Sequence, residues 1–341
     1  MKMVTSVLVL SHQGLGDIIS SIPIYNALRT EYPEATITST VKGYSEKRLL
    51  ESQGLSDLFI MSDIYSMTFV KRFFFLLGFL FKNYSIVIAP VGINIKYAVI
   101  IKCVSFSKKM IAIKSNGILD YFVSNPVRIN SKAKRVFNNN LLLNEFSNKN
   151  SFPRLQPIQN LEYLAKKFSI NKSNFLIGIH PGSGVIEKHK RWPIENYAEL
   201  IRLFMNYDNE VNFILFGVEG EISLCNGIYE KVNFSNQPSI YNLCGKTSID
   251  ESLSIMSICN LFVSADTGMM HAASALGIKT ISMFGPTSSN EIAPYWNNAL
   301  VINQGLPCSP CYPDLLQGCG NNKCMSKIQP INVFNSIKGV L

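Results

Sequence analysis

The sequence predicts an α/β protein built as two Rossmann-like halves, and three observations carry that reading. The first is Leu261–Thr287, which reads as an apolar strand (Leu261–Ser264), a polar turn with Asp266, Thr267 and Gly268, a short helix (Met269–Leu276), a glycine stop at Gly277 and a second strand (Lys279–Phe284). A strand, turn, helix and strand of this length form a βαβ crossover, which requires a parallel sheet. The second is that the chain opens on the same pattern: strand Val4–Leu10, loop Ser11–Asp17, helix Ile18–Glu31 with Pro23 near its start, and strand Ala35–Val41 after Pro33. The third is the polar stretch Asn138–Asn174, rich in Asn, Lys and Ser and containing Pro153 and Pro157, which separates two apolar-rich regions. The expected division is a first domain over 1–160, a second over 161–328 and a terminal helix over 329–341 that could cross back to the first.

At 341 residues the chain can bury two cores of ordinary size, and 47% hydrophobic with 16% charged residues is a globular composition. Met1–Leu10 lacks the pattern of a signal peptide, and the longest uncharged apolar run, Phe73–Phe81, is too short to cross a bilayer. A cytoplasmic location is therefore expected. Residues 1–150 hold 18 Lys and Arg against 9 Asp and Glu, whereas residues 151–341 hold 14 of each, so the whole net charge of +9 lies in the first half. Such a half either faces something anionic, a membrane surface, an acidic or phosphorylated acceptor or nucleic acid, or is simply a well-solvated basic surface.

Within that half, Gly14-Leu15-Gly16-Asp17 follows the first strand but lacks the third glycine of a dinucleotide fingerprint. Asp17, at the amino end of a helix, is stabilised there as an anion, either as a simple cap or as a reactive carboxylate. Met67–Phe81 is apolar almost all round, so burial is expected. The alternative is a patch that docks at a membrane interface, with Lys71, Arg72 and Lys82 meeting anionic lipid. Ser85–Ala89 is a further strand, and much of the charge excess follows it, in Lys96–Lys114 and Lys132-Ala133-Lys134-Arg135.

In the second half each strand ends in a glycine-bearing polar loop. Phe175–Ile179 leads into His180-Pro181-Gly182-Ser183-Gly184 and then Lys188-His189-Lys190-Arg191-Trp192-Pro193 before the helix Ile194–Met205. Val211–Phe216 leads into Gly217-Val218-Glu219-Gly220-Glu221, and Thr247-Ser248-Ile249-Asp250 precedes the helix Glu251–Cys259. These loops should line one crevice at the carboxyl edge of the sheet. Gly182 and Gly184 admit close backbone approach, Lys190 and Arg191 bring charge, and the turn after Asp266 offers helix N–H groups, together a diphosphate clamp. Glu219 or Glu221 could accept from a ribose diol. Asp266-Thr267-Gly268 also matches the aspartic-protease signature, but it occurs once and opens a helix. His12, His180, His189 and His271 show no metal-ligand spacing, and neither a G-x-S-x-G nor a Walker pattern is present.

A nucleotide held by one half and an acceptor by a basic other half suit group transfer from an activated donor, with a first-half carboxylate as base. In combination, Gly14-Leu15-Gly16-Asp17 with Ile22-Pro23 and Tyr32-Pro33, His180-Pro181-Gly182-Ser183 with Lys190-Arg191-Trp192-Pro193, and Asp266-Thr267-Gly268 with His271 and Phe284-Gly285-Pro286-Thr287 resemble glycosyltransferase family 9, the ADP-heptose heptosyltransferases of lipopolysaccharide inner-core assembly. The resemblance implies a GT-B fold, two Rossmann-like domains with a cleft between them, and inverting transfer with no metal required for chemistry. It implies Asp17 as catalytic base and Lys190 as phosphate-binding lysine. It implies that Ser183 contacts phosphate, and that Asp266, Thr267, Gly268, Met269 and His271 hold the donor's diphosphate and sugar. Glu221 is favoured over Glu219 for the ribose, and the insertion Val185–His189 could displace Lys190.

Of eight cysteines, Cys103, Cys225, Cys244 and Cys259 sit in apolar surroundings and are expected in the core. Cys308, Cys311, Cys319 and Cys324 cluster as four closely spaced thiols, which in a cytosolic protein favour a structural zinc or iron site over disulfides. Autotransporter heptosyltransferases within the resembled family carry iron on such a cluster; free thiols or a redox disulfide are the alternative. The expected function is transfer of a sugar, ADP-heptose being the implied donor, to a lipopolysaccharide-core or lipid-linked acceptor. It would occur at the cytoplasmic face of the inner membrane, by a peripheral protein with no nucleic-acid partner. The alternatives are another nucleotide sugar or a protein acceptor, a non-hydrolysing nucleotide-sugar epimerase, or a non-catalytic nucleotide-binding homologue.

Overall fold

A computed structural model describes residues 4–338 apart from 12, 65, 125, 131–132, 147–151, 185–186, 208–209, 233–239, 296–298, 313–318 and 320–321. The chain divides into two compact units at Pro153/Arg154, earlier than the residue-160 division expected from composition. The division falls inside the polar stretch Asn138–Asn174, whose first residues, Asn138, Asn139 and Asn140, are buried in the first unit. Asn139 Nδ2 donates to Ser20 O at 3.1 Å and its Oδ1 accepts from Val91 N at 2.9 Å.

The first unit carries five parallel strands, β1 (Ser6–Ser11), β2 (Thr36–Val41), β3 (Leu58–Met61), β4 (Ile86–Ala89) and β5 (Lys109–Ala112), in the order β3-β2-β1-β4-β5. Its helices are α1 (Leu15–Glu31), α2 (Tyr44–Ser52), α3 (Phe69–Leu77), α4 (Ile95–Val104) and α5 (Arg135–Leu141). Val7–Leu10 and Ile86–Ala89 are buried on both faces, as strands between two helical layers must be. Pro23 lies inside α1 and removes one of its hydrogen bonds, but the helix is buried almost continuously from Ile18 to Leu28, and that packing sustains it.

The second unit carries β6 (Phe175–His180), β7 (Val211–Leu215), β8 (Ile240–Asn242), β9 (Leu261–Ala265), β10 (Lys279–Met283) and β11 (Ala299–Ile302), all parallel, in the order β11-β10-β9-β6-β7-β8. Its helices are α6 (Leu161–Lys167), α7 (Ile194–Tyr207), α8 (Ile222–Val232), α9 (Ile249–Met256), α10 (Gly268–Ala275), α11 (Ser289–Ile292), α12 (Lys323–Ser326) and α13 (Pro330–Lys338). The strand order changes direction between β9 and β6, the switch point at which open parallel sheets leave a crevice beyond their carboxyl ends. The terminal helix α13 belongs to this unit: Phe334 packs edge-on against Phe204 and Tyr207 of α7, at 4.9 and 5.7 Å between ring centroids.

Two expectations about burial are overturned. α3 is shorter than the expected Met67–Phe81 helix, and none of its residues is fully buried. Only the side bearing Phe75 and Leu76 is covered, packing on the core with Phe79. Cys103, expected in the core, is exposed on α4, while Cys225, Cys244 and Cys259 are buried.

Candidate functional site

The loops after β6, β7 and β9 are joined by a buried chain of side chains. Thr267 caps α10 by accepting from Met270 N at 3.3 Å, and its hydroxyl meets His180 Nδ1 at 3.3 Å. On the other side His180 Nε2 lies 3.2 Å from Glu221 Oε2. Glu221 also accepts from Val218 N at 3.1 Å and from Gly184 N at 3.2 Å. One consistent assignment satisfies every group: His180 donates from Nε2 to the carboxylate and accepts the Thr267 proton at Nδ1. Burial opposes ionisation of Glu221, but the hydrogen bond from His180 and the two backbone donors outweigh it and bring its pKa to about 2.

This geometry locates the ribose candidate. Glu221 is buried in the loop framework, whereas Glu219 is exposed. Gly182 is required where it stands, because a Cβ there would collide with the Glu221 carboxylate. Ser183 is also committed internally: its hydroxyl donates to Glu187 O at 2.8 Å and accepts from Arg191 Nε at 3.1 Å, while Arg191 Nη2 donates to Gly184 O at 2.8 Å. Glu221 and Ser183 thus each have hydrogen-bond partners within these loops.

Lys190 is nearly buried, with Nζ 3.2 Å from Asp266 Oδ2 and 2.7 Å from Glu187 Oε1. Burial disfavours its charge, but the two carboxylates outweigh that and hold its pKa above the usual lysine value. Its ammonium also lies 5.1 Å from the ring centroid of Tyr312, on which His189 stacks at 5.2 Å. Burial and then the charge on Lys190 lower the His189 pKa, and His189 Nε2 is buried with no hydrogen-bond partner. Of the insertion at Val185–His189, Val185 and Ile186 lie outside the described residues, and Glu187 is the member set against the lysine. Gly268, Met269 and His271 occupy the first turn of α10, partly exposed, beside Asp266 and Thr267. The second unit therefore gathers Lys190, Asp266 and the amino end of α10 at one place. Sequence reasoning missed Glu187, Tyr312 and the role of His180. Glu187 and Tyr312 lie in loops without a pattern, though His180, a histidine ending a buried strand, was a usable signal.

In the first unit Asp17 lies in the first turn of α1, half-buried, with its Oδ1 in an ion pair with Arg135 Nη1 of α5. Ser20 and Ser21 hydroxyls donate to its backbone carbonyl at 2.7 and 2.9 Å. Arg135, noted in the sequence only as part of a basic run, is thus the partner of the candidate base. His12 lies outside the described residues.

The described residues give the expected metal site at Cys308, Cys311, Cys319 and Cys324 no support. Among the described residues no group of three or more His, Cys, Asp and Glu side chains is placed to hold a metal ion. Cys324 is buried, its Sγ 3.7 Å from Asn322 Oδ1, while Cys308 and Cys319 are exposed. Burial and then the neighbouring Cys319 and Cys308 thiols raise the Cys311 pKa, and burial and then Cys319 and Cys311 raise that of Cys324.

Residues 82–317, more than half of the chain, match the family model described as glycosyltransferase family 9 (heptosyltransferase). Lipooligosaccharide heptosyltransferase 2 of Campylobacter jejuni is 32% identical over 167 residues, covering 48% of this chain and 50% of that protein. The chain thus spans about half the length of the curated relatives it matches. The solved structure of Escherichia coli ADP-heptose lipopolysaccharide heptosyltransferase II aligns over 98% of both chains with a TM-score of 0.75 at 22% identity. A family 9 glycosyltransferase from Veillonella parvula aligns over 100% of this chain and 98% of its own with a TM-score of 0.77 at 18% identity. These two likenesses concern the fold, which is that of the GT-B heptosyltransferases.

Proposed function

The chain belongs to glycosyltransferase family 9, and from that premise we propose that it is an inverting, heptosyltransferase-type enzyme. It moves a sugar from a nucleotide-diphosphate donor, ADP-heptose being the first to test, to a hydroxyl of a lipopolysaccharide-core or related acceptor. The observation that supports the reading is Lys190 held 3.2 Å from Asp266, the residue that precedes the Thr267 cap of α10.

In the proposed step the acceptor oxygen attacks the anomeric carbon from the face opposite the leaving group, and its proton passes to the Asp17 carboxylate. The bond between the anomeric carbon and the diphosphate oxygen breaks with its electron pair on the diphosphate. Lys190 and the α10 amino end compensate that charge, so the reading invokes no metal for the chemistry. Arg135 holds the Asp17 carboxylate in place. His271, one turn into α10, is assigned to the donor's sugar side, and Glu219, on the exposed rim, competes with Glu221 for the ribose.

The proposed setting is the cytoplasmic face of the inner membrane. Two facts support it: the net charge of +9 lies entirely in the first 150 residues, and among the described residues no helix is long and apolar enough to cross a membrane. The test is nucleoside diphosphate release from a panel of nucleotide sugars, with and without core lipopolysaccharide. Release that requires the acceptor is expected. Donor conversion indifferent to acceptor would favour an epimerase and overturn the transferase reading, and transfer to a protein acceptor would redirect it.

A further inference from the structure

We propose that the outward face of α3, continued by Phe81 and Phe106, inserts into the headgroup region of an anionic lipid bilayer. This deepens the membrane setting proposed above and rests on it.

α3 carries two apolar stripes at helical spacing. Phe75, Leu76 and Phe79 turn inward on the core of the first unit. Val70, Phe73, Phe74 and Leu77 repeat the same i, i+3, i+4, i+7 spacing on the other side and are uncovered. Phe69 at the start of the helix is 83% exposed and Phe74 65%. A soluble helix gains nothing by a second apolar stripe left in water, since each such ring forgoes the stabilisation of burial.

The chain leaving α3 adds to this surface at a conformational cost. Phe81 and Phe106 adopt left-handed backbone conformations, φ +58° and +54°, which bulky residues avoid. Their rings stack on each other, 5.1 Å apart and nearly parallel, yet remain 66% and 57% exposed. The two bends are stitched together by Asn83 N donating to Ser105 O at 2.8 Å, and Asn83 Nδ2 donates to Phe81 O at 2.9 Å. Two strained aromatics held by such bonds in an uncovered position are a presented surface rather than a packing remainder.

Charge selects the occupant. From residue 64 to residue 119 there is no Asp or Glu, against eight Lys and Arg. Lys71, Lys82 and Lys108 are exposed on or beside the aromatic patch. Arg72 keeps its guanidinium on the half-buried side, over the Tyr97 ring at 5.3 Å. Lysines rimming an uncovered aromatic helix face are the composition of an interfacial helix, in which apolar insertion and attraction to anionic headgroups add. A second copy of this chain would bring like charges face to face, and nucleic acid would leave the aliphatic members Val70 and Leu77 unused.

The experiment is vesicle co-sedimentation of the full chain, without donor or acceptor, on phosphatidylglycerol/phosphatidylethanolamine and on pure phosphatidylcholine vesicles. Binding to the anionic vesicles, weakened by salt and absent from the neutral ones, is expected. Phe73→Ser with Phe74→Ser should weaken it by about tenfold or more, with an unchanged thermal midpoint because both rings face outward. Lys71→Glu with Lys82→Glu should weaken it by a comparable factor. Phe73→Trp should shift its emission to the blue on the anionic vesicles. No binding, equal binding by the serine variant, or a concentration-dependent dimer that the serine variant dissolves would each overturn the proposal. Transfer to a deacylated, water-soluble acceptor is measured separately: its retention when vesicle binding fails would reject the docking face alone, and its loss alone the transferase reading.

Discussion

Lys190 Nζ lies 3.2 Å from Asp266 Oδ2 and 2.7 Å from Glu187 Oε1, so the cation that would receive a diphosphate is already satisfied by two carboxylates. An arriving phosphate must displace at least one, and Glu187, the more exposed, is the one free to leave. Glu187→Gln should therefore tighten nucleoside diphosphate binding by about twofold to fivefold, the scale of a part-exposed ion pair. Lys190→Met should weaken it by about tenfold or more. Isothermal titration of both variants with ADP checks this; weaker binding by the glutamine variant would show that Glu187 assists rather than competes.

Asp17→Asn preserves the shape of the side chain beside Arg135 but removes the proton acceptor. Turnover should fall by about 100-fold or more while donor affinity stays within twofold, by the ~10²–10⁴ scale of general base catalysis. Single-turnover transfer alongside donor titration separates the two, and unchanged turnover would remove Asp17 from the base role.

Glu221 has its pKa lowered from an ordinary value of 4.5 to about 2 in the folded chain. Its contribution to stability is thus complete above the unfolded value and is lost as pH falls from about 4.5 toward 2. Denaturant unfolding across that window should show the loss in the native chain and a flatter acid limb in Glu221→Gln. Equal slopes would place the acid-labile charge elsewhere.

Gly182→Ala introduces a Cβ into the Glu221 carboxylate, which is itself held by His180, Val218 and Gly184 and has little room to move. A cost of about 1–3 kcal/mol is expected. Differential scanning calorimetry should record it as a lower midpoint, and an unshifted midpoint would mean that the loop yields freely.

The architecture was legible because buried parallel strands announce themselves: Val4–Leu10, Phe175–Ile179, Val211–Phe216 and Leu261–Ser264 are apolar runs ended by glycine-bearing loops. Lys190 and Asp266 could be paired from their places after β6 and β9. What the sequence does not display is how a side chain is spent. Ser183 and Glu221 stand at ligand-facing positions in the pattern, yet hydrogen bonds to their own loops engage them. Likewise, helical spacing in α3 reports that apolar stripes exist but not that one of the two lacks a partner. The pairing of Asp17 with Arg135 spans more than a hundred residues and has no local signature.

Trp192, two residues beyond Lys190, donates from Nε1 to Ile328 O at 2.9 Å, Asn196 donates to the same carbonyl, and Asn322 Nδ2 donates to Arg191 O at 3.3 Å. The lysine loop is therefore clasped by a segment translated more than a hundred residues later. On the ribosome that loop emerges early and waits, unfastened, until residues 322–338 have cleared the exit tunnel. A nascent chain that stalls short of them would carry every loop of the donor site and still lack the clasp that sets Lys190 in place.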